Sequence, residues 1–236
     1  MISKAVFNIM AAAKPTADIH LVADWLNINP ITSEPNVILS DGQHSNPIFA
    51  FFKRGIDIAF CLFVIIFFGW LLIILIGVIR ATSPGPAIFR HQRVGLNGKA
   101  FTCYKLRSMK LNTEQRSTHE VRSDAITPVG KFLRKTKLDE LPQIWNILAN
   151  EMSLIGPRPC LPSQTRLVAL RRRVGIDKIK PGISGLAQIN GIDMSDPEHL
   201  AVWDFRYIQL QSLFLDAKII VKTALGSGTG DPAQPD

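Results

Sequence analysis

Residues Ile58 to Ile79 form a run of 22 residues without a single charge, most of them Leu, Ile, Phe and Val. At a rise of about 1.5 Å per residue, a helix of this length crosses a hydrocarbon core ~30 Å thick. The run therefore reads as a membrane helix, and two arrangements are open. It spans the bilayer, or it enters and leaves on one side as a re-entrant helix. Lys53 and Arg54 precede the run, and Arg80, Arg90 and Arg93 follow it. Cationic flanks favour the cytoplasmic side, so cations at both ends favour the re-entrant arrangement.

Charge points the same way. The chain has 27 Lys and Arg against 19 Asp and Glu, a formal net charge of +8. Between Ala50 and Lys110 there are nine basic residues and one acid, Asp57. Such a block around an apolar run suits anionic lipid headgroups or phosphorylated substrates. Nucleic acid is the other usual partner of a basic surface, but no helix-turn-helix, zinc finger or stacking platform accompanies it, so none is expected here. Cys61, Cys103 and Cys160 form no disulfide framework, which suits a reducing compartment. These three thiols and five dispersed His also lack zinc spacing.

At 236 residues the chain holds one well-buried domain without internal repeats. Residues 1–48 carry prolines at 15, 30, 35 and 47 and few apolar residues, so they read as a poorly ordered extension. Their first 14 residues resemble a signal peptide only faintly. Residues 49–82 read as the membrane helix, 83–225 as the main domain and 226–236 as a disordered tail. Within the domain, 88–93 and 100–106 read as a hairpin around Asn97-Gly98, a type I′ signal. The hairpin aims Lys105 and Arg107 back towards the membrane edge. Residues 112–124 read as a mobile loop. Residues 163–174 set Leu167, Val168, Leu170 and Val174 against Arg166, Arg171, Arg172 and Arg173, either as an interfacial helix or as a core helix with a basic outer face. Ser195 to Glu198 reads as a capping box opening a helix through Gln211, and Ser212 opens another that Gly226 ends.

The chemistry-bearing stretch runs from Arg134 to Pro159. Asp139 and Glu140 follow Arg134, Lys135 and Lys137 and precede Pro142, which favours a first helical turn, so a helix over 142–148 is expected beside the pair. Adjacent side chains point differently, which suits two jobs rather than one shared proton. Downstream, Gly156-Pro157-Arg158-Pro159 fixes the backbone around one arginine, and a guanidinium held this way matches phosphate oxygens. Taken alone, the acid pair also fits a solvated helix cap, and Arg134 and Arg158 also fit ordinary salt bridges.

These residues are similar to the bacterial sugar transferase family, the monotopic phosphoglycosyl transferases. The resemblance covers roughly Phe52 to Leu225. It includes Lys53-Arg54-x-x-Asp57, the Gln92 to Phe101 string, Tyr104-Lys105-x-Arg107-Ser108-Met109 and Leu138 to Gln143. The arginine turn, Lys180 to Gly191, and Leu215-Asp216-x-Lys218-Ile219-Ile220 follow in the family's order. The resemblance implies an α/β, mainly helical monotopic membrane protein with an N-terminal re-entrant membrane helix, a β-hairpin and interfacial amphipathic helices. It implies transfer of a phospho-sugar from a UDP-sugar, N-acetylated in our reading, to undecaprenyl phosphate, with release of UMP. The product would initiate capsule, O-antigen or exopolysaccharide synthesis. By the same resemblance Asp139 is the nucleophile, through a covalent aspartyl intermediate, and Glu140 is catalytic and binds Mg²⁺. Arg134, Arg158, Lys105, Arg107, Gln188, Asn190, Asp204 and Asp216 are the implied substrate-binding residues. On their own, Asp204 and Asp216 read as surface or helix-start charges, and Asp57 as an anchor.

The implied partners are UDP-sugar, undecaprenyl phosphate, membrane lipid and downstream glycosyltransferases. The implied location is the bacterial cytoplasmic (inner) membrane, with the catalytic domain on the cytoplasmic face. Three departures are present. Gly69-Trp70 stands where the family breaks its membrane helix with Ser-Pro, so a softer break is expected near Gly69, with Trp70 tucked against protein. Leu186 and Ile192 stand where many members have Trp and Arg. The rival readings are a catalytically inactive membrane scaffold, UDP-hexose (glucose or galactose) specificity, and a basic peripheral protein that only binds anionic lipid.

Overall fold

The computed structural model describes residues 47–111 and 125–226. The expected N-terminal extension up to residue 46, the loop 112–124 and the tail beyond Gly226 lie outside them. The chain opens with α1 (Pro47–Thr82), a helix of 36 residues, and continues with β1 (Ile88–Val94) and β2 (Ala100–Leu106). Then come α2 (Pro128–Lys135), α3 (Ile144–Leu148), β3 (Ser153–Ile155), α4 (Thr165–Arg173), β4 (Gly182–Ser184) and the single turn α5 (Leu186–Ile189). The longer helices α6 (Pro197–Leu210) and α7 (Leu213–Ala224) close the described chain. Among the described residues the fold is mainly helical, with two small two-stranded sheets and one long apolar helix, which is compatible with a monotopic membrane protein.

Most of the local sequence signals hold. β1 and β2 pair antiparallel, from Ile88 opposite Leu106 to Val94 opposite Ala100. Asn97 and Gly98 both have positive φ, and Lys99 N donates to Leu96 O at 3.2 Å, as in a type I′ turn. Ser212 caps α7 by accepting from Leu215 N, and Gly226 follows its end at φ +90°. α6, however, is capped by Asp196, which accepts from His199 N, and not by a Ser195–Glu198 box. Ser195 instead donates to Asp193. For 163–174 the core-packing alternative holds, since Leu167 is fully buried with Cys160, Leu200 and Ala201.

The expected break near Gly69 is not there: α1 is helical throughout. Glycine keeps its N–H, so the hydrogen-bond ladder continues where a proline would interrupt it. Trp70 is also not tucked against protein. It is 60% exposed, and its indole N–H donates to Phe67 O at 2.7 Å.

The domain packs along one face of α1. Cys61 and Val64 join Phe101, Cys103, Ile144, Ile147 and Met152 in one core cluster, while Leu75 and Ile79 join Ala87, Leu106 and Leu133 in another. The remaining surface, with Leu62, Phe63, Ile66, Phe67, Ile73 and Ile74, stays exposed. Just before the apolar run, polar side chains fasten α1. Lys53 Nζ donates to Ile155 O and pairs with Asp216. Arg54 donates to Ile147 O and Leu148 O, carbonyls at the end of α3. Buried Asp57 accepts from Ser153 Oγ (3.1 Å) and Leu154 N (2.8 Å). The sequence reading of Asp57 as an anchor matches this contact.

Asp57→Ala should therefore leave two buried donors without an acceptor, at a cost of about 1–3 kcal/mol each. Asp57→Asn keeps one acceptor oxygen and should lose less. Thermal unfolding in detergent ranks them, and wild-type stability for Asp57→Ala would remove the anchor role.

Candidate active site

The site is assembled where the hairpin meets a tight turn. Along β1 and β2, Phe89, His91 and Arg93 stand opposite Lys105, Cys103 and Phe101, so all six share one face. Lys105, on that face, reaches the segment after α2. There the chain reverses at Lys137, a non-glycine residue with φ +57°, and enters a 3-10 turn over Leu138–Gln143. Asp139 and Glu140 thus lie inside the turn, and Pro142 lies inside it too. The helix expected over 142–148 starts only at Ile144. Proline's fixed φ suits a 3-10 turn as well as an α-helical first turn, so its presence could not decide the boundary.

Glu140 is the hub. Lys105 Nζ reaches its Oε1 at 2.8 Å, and Arg158 Nη2 reaches the same oxygen at 2.9 Å. Burial by itself would raise the Glu140 pKa, but Arg158 and Lys105, through charge and hydrogen bonds, hold the carboxyl well below the usual range. Asp139 is buried beside it and shows the opposite balance. Burial pushes its pKa up, and Glu140 adds to the rise, against Lys105, Arg134 and Arg158. The pair is split electrostatically, with one carboxylate fully compensated and its neighbour under-compensated. Arg134 is steadied by its Nε donating to Ser108 Oγ at 3.2 Å. The base of α2 lies so close to Ser108 that a Cβ on Gly130 would stand 1.9 Å from Ser108 O. Lys137, which also interacts with Glu140, completes the cationic surroundings.

Four cations, Lys105, Arg134, Lys137 and Arg158, thus act on two carboxylates. Such a surplus attracts an anion with several negative charges. Three further polar residues support the site without having stood out in the sequence. His91 is buried and lies beside Arg93, its Nδ1 3.4 Å from Arg93 Nη2, and burial together with Arg93 and Lys105 lowers its pKa to about 4. Asn146 is fully buried and uses its side-chain amide as a missing strand: Oδ1 accepts from Tyr104 N and Nδ2 donates to Thr102 O, along the open edge of β2. Arg171 is buried under the arginine turn. The period-2 pattern Phe89-x-His91-x-Arg93 could have pointed to His91 and Arg93. Nothing local marks Asn146 or Arg171.

Of the residues expected in the site, the structure brings together Asp139, Glu140, Lys105, Arg134 and Arg158. The others are engaged elsewhere. Arg107 donates to Ser83 O and Pro84 O, pinning the turn after α1. Gln188 donates to Ile183 O, and Asn190 to Leu186 O, each onto its own loop. Asp204 meets Arg171 in a buried ion pair. Asp216 meets Lys53 and accepts from the Tyr207 hydroxyl.

The family model described as bacterial sugar transferase matches residues 48–228. One relative is the UDP-N-acetylgalactosamine-undecaprenyl-phosphate N-acetylgalactosaminephosphotransferase of Aeromonas hydrophila. It is 39% identical over 187 residues, covering 75% of this chain and 44% of that protein. The UDP-glucose:undecaprenyl-phosphate glucose-1-phosphate transferase of Klebsiella pneumoniae is 38% identical over 202 residues, covering 82% of this chain and 43% of that protein. The chain thus spans less than half the length of these two relatives. The exopolysaccharide production protein ExoY of Rhizobium meliloti is 32% identical over 208 residues, covering 81% of this chain and 92% of that protein.

If the cationic cluster is an anion site, Arg158→Ala and Lys105→Ala should each weaken pyrophosphate binding. Loss of a charge-assisted hydrogen bond is worth about 1.5–3 kcal/mol, or roughly 10- to 150-fold in Kd. Arg107→Ala should lower the melting temperature and leave that Kd unchanged. Calorimetry on the three variants checks both parts.

Proposed function

The chain belongs to the bacterial sugar transferase family, and on that premise we propose that it transfers a phospho-sugar from a UDP-sugar to undecaprenyl phosphate. The observation that carries the reading is the split pair: buried Asp139 next to a Glu140 that both Lys105 and Arg158 hold ionised. Phosphoryl transfer needs a nucleophile in line with the leaving group and charge neutralisation around the transferring oxygens. In the proposed sequence an Asp139 oxygen attacks the phosphorus next to the sugar, and the bond to the bridging oxygen breaks. UMP leaves with that oxygen, and an acyl phosphate remains on Asp139. An oxygen of undecaprenyl phosphate then attacks the same phosphorus. The Asp139 carboxylate leaves, and the product is a lipid-linked diphosphate sugar. Arg134, Lys105 and Arg158 lie where they can take the phosphate oxygens.

Mg²⁺ belongs to the proposal, with Glu140 as its protein ligand. The residues fit it: magnesium takes one or two carboxylates together with phosphate oxygens and water, and two adjacent carboxylates are present. Among the described residues no group of three or more His, Cys, Asp or Glu converges. The substrate's diphosphate would supply further oxygens to the ion. When bound, the ion neutralises phosphate charge.

For the sugar we propose an N-acetylated hexosamine, supported by the substrate named for the Aeromonas relative. The glucose named for the Klebsiella relative supports a UDP-hexose as the second reading. The product would open a capsule, O-antigen or exopolysaccharide chain for downstream glycosyltransferases. We place α1 along the cytoplasmic face of the cytoplasmic membrane, where this unbroken helix keeps both ends on that side. Support comes from the domain, which packs on α1 from Asp57 to Ile79, about 33 Å of helix. A spanning helix would carry part of that charged domain into hydrocarbon. The outer face of α7, where exposed Phe214, Val221 and Leu225 stand among Lys218 and Lys222, suits an interfacial helix.

Incubation with a panel of UDP-sugars and undecaprenyl phosphate, scoring UMP, tests the reaction and separates the two sugar readings. Asp139→Asn should abolish turnover. Glu140→Gln should slow it and weaken its Mg²⁺ dependence, and chelation of Mg²⁺ should stop the wild type. Without acceptor, UMP should be released at most once per active site. Sequential kinetics with no such burst would sink the covalent intermediate. For topology, single cysteines at 50 and 83 in an otherwise cysteine-free protein should share protection from a periplasmic reagent. Labelling at 50 with protection at 83 would show a span.

A further inference from the structure

Four consecutive carbonyls of the arginine turn are each held by a donor from elsewhere in the chain. Gly182 N donates to Pro157 O at 2.9 Å, and Val94 N to Cys160 O at 2.9 Å. Between them, Arg171 Nη1 donates to Arg158 O at 2.8 Å and Arg93 Nη1 to Pro159 O at 2.9 Å. Two of the four donors are guanidinium groups, and both arginines are buried. Burying a guanidinium is costly unless its charge is met. Arg171 is met by Asp204, with Nε and Nη2 both donating to Oδ2 at 3.0 and 2.6 Å.

Joining α4 to α6 does not explain this expense, because Leu167, Leu200 and Ala201 already pack the two helices together. What Arg171 adds is its third contact, on the backbone of the residue whose side chain closes onto Glu140. Arg93 adds the same to the next carbonyl, from the strand face that forms the site.

We propose that Asp204, Arg171 and Arg93 are positioning residues that act on the reaction through Arg158, fixing its backbone so that its guanidinium meets Glu140 and the substrate diphosphate in working geometry. The inference rests on the phosphotransfer reading above, which gives Arg158 its anion. Asp204 then influences catalysis without touching substrate, two residues removed from it: Asp204 orients Arg171, Arg171 holds the Arg158 backbone, and Arg158 meets the phosphates. A misplacement of about 1 Å in a binding group can cost on the order of 100-fold in rate.

The test uses the full chain in detergent or nanodiscs and the variant Asp204→Asn, which keeps the shape and removes the charge. Amide hydrogen exchange over 156–161 should accelerate about tenfold or more, while peptides of α1 and α7 stay unchanged. Turnover should fall about 10- to 100-fold. In an Arg158→Lys background the same Asp204→Asn change should cost less than about threefold, because the group it positions is already altered. Penalties that multiply in the double variant, or unchanged exchange over 156–161, would overturn the proposal and leave Asp204 a structural role only. If Asp204→Asn does not fold, Arg93→Gln carries the same exchange measurement and the same cycle against Arg158→Lys, with the same outcomes deciding. A wild type that turns over no UDP-sugar would sink the phosphotransfer reading instead, and the exchange result would still decide whether these residues hold the turn.

Discussion

Everything in this molecule depends on fastening an apolar helix to a charged domain. Apolar contacts are poor at that task near a membrane, because lipid offers the helix an equally apolar surface. The chain solves it with one turn of polar residues at the start of the run. Lys53, Arg54 and Asp57 each reach a different part of the domain: the end of β3 and α7, the end of α3, and the start of β3. These bonds are directional, and each residue reaches a backbone group at an element end. They set the rotation of α1, so that Cys61, Val64, Leu75 and Ile79 face the domain and Phe63, Ile66 and Ile73 face away.

The same logic of satisfying buried charge recurs in the site. Two neighbouring carboxylates under similar burial end in different states because the available cations are unequally shared. Lys105 and Arg158 both settle on Glu140, and Asp139 is left with longer-range compensation. That inequality comes from two elements far apart in sequence, β2 and the arginine turn, converging on one side of a 3-10 turn. The division of labour between adjacent acids is therefore a property of the tertiary fold and not of the dipeptide.

This explains how much was legible in the sequence. Features with a local cause were: the hairpin and its Asn97-Gly98 turn, the long apolar helix and the Ser212 cap. Features decided by distant partners were not. Arg171 sits in a helix among other arginines, so periodicity assigns it to the wet face. Only Asp204, 33 residues later, draws it inside. Asp204 and Asp216 read as surface charges, because their cations lie on other elements. Asn146 sits in the apolar string Ile144 to Leu148, where nothing announces that its amide completes the edge of β2. The unbroken course of α1 through Gly69 was missed for a different reason. A glycine permits a bend without requiring one.

The anchor at Lys53 also has a history within each chain's synthesis. Its ion-pair partner, Asp216, lies 163 residues downstream. At about 5–20 residues per second, translation delivers that partner roughly 10–30 s after Lys53 has emerged. During that interval α1 is complete, while the last of the groups that hold its base is still to be made. A helix that meets lipid in that interval does so before its docking is complete, and the rest of the domain then folds onto it. The last two helices act as the closing step, since α7 brings the carboxylate that locks the first helix in place.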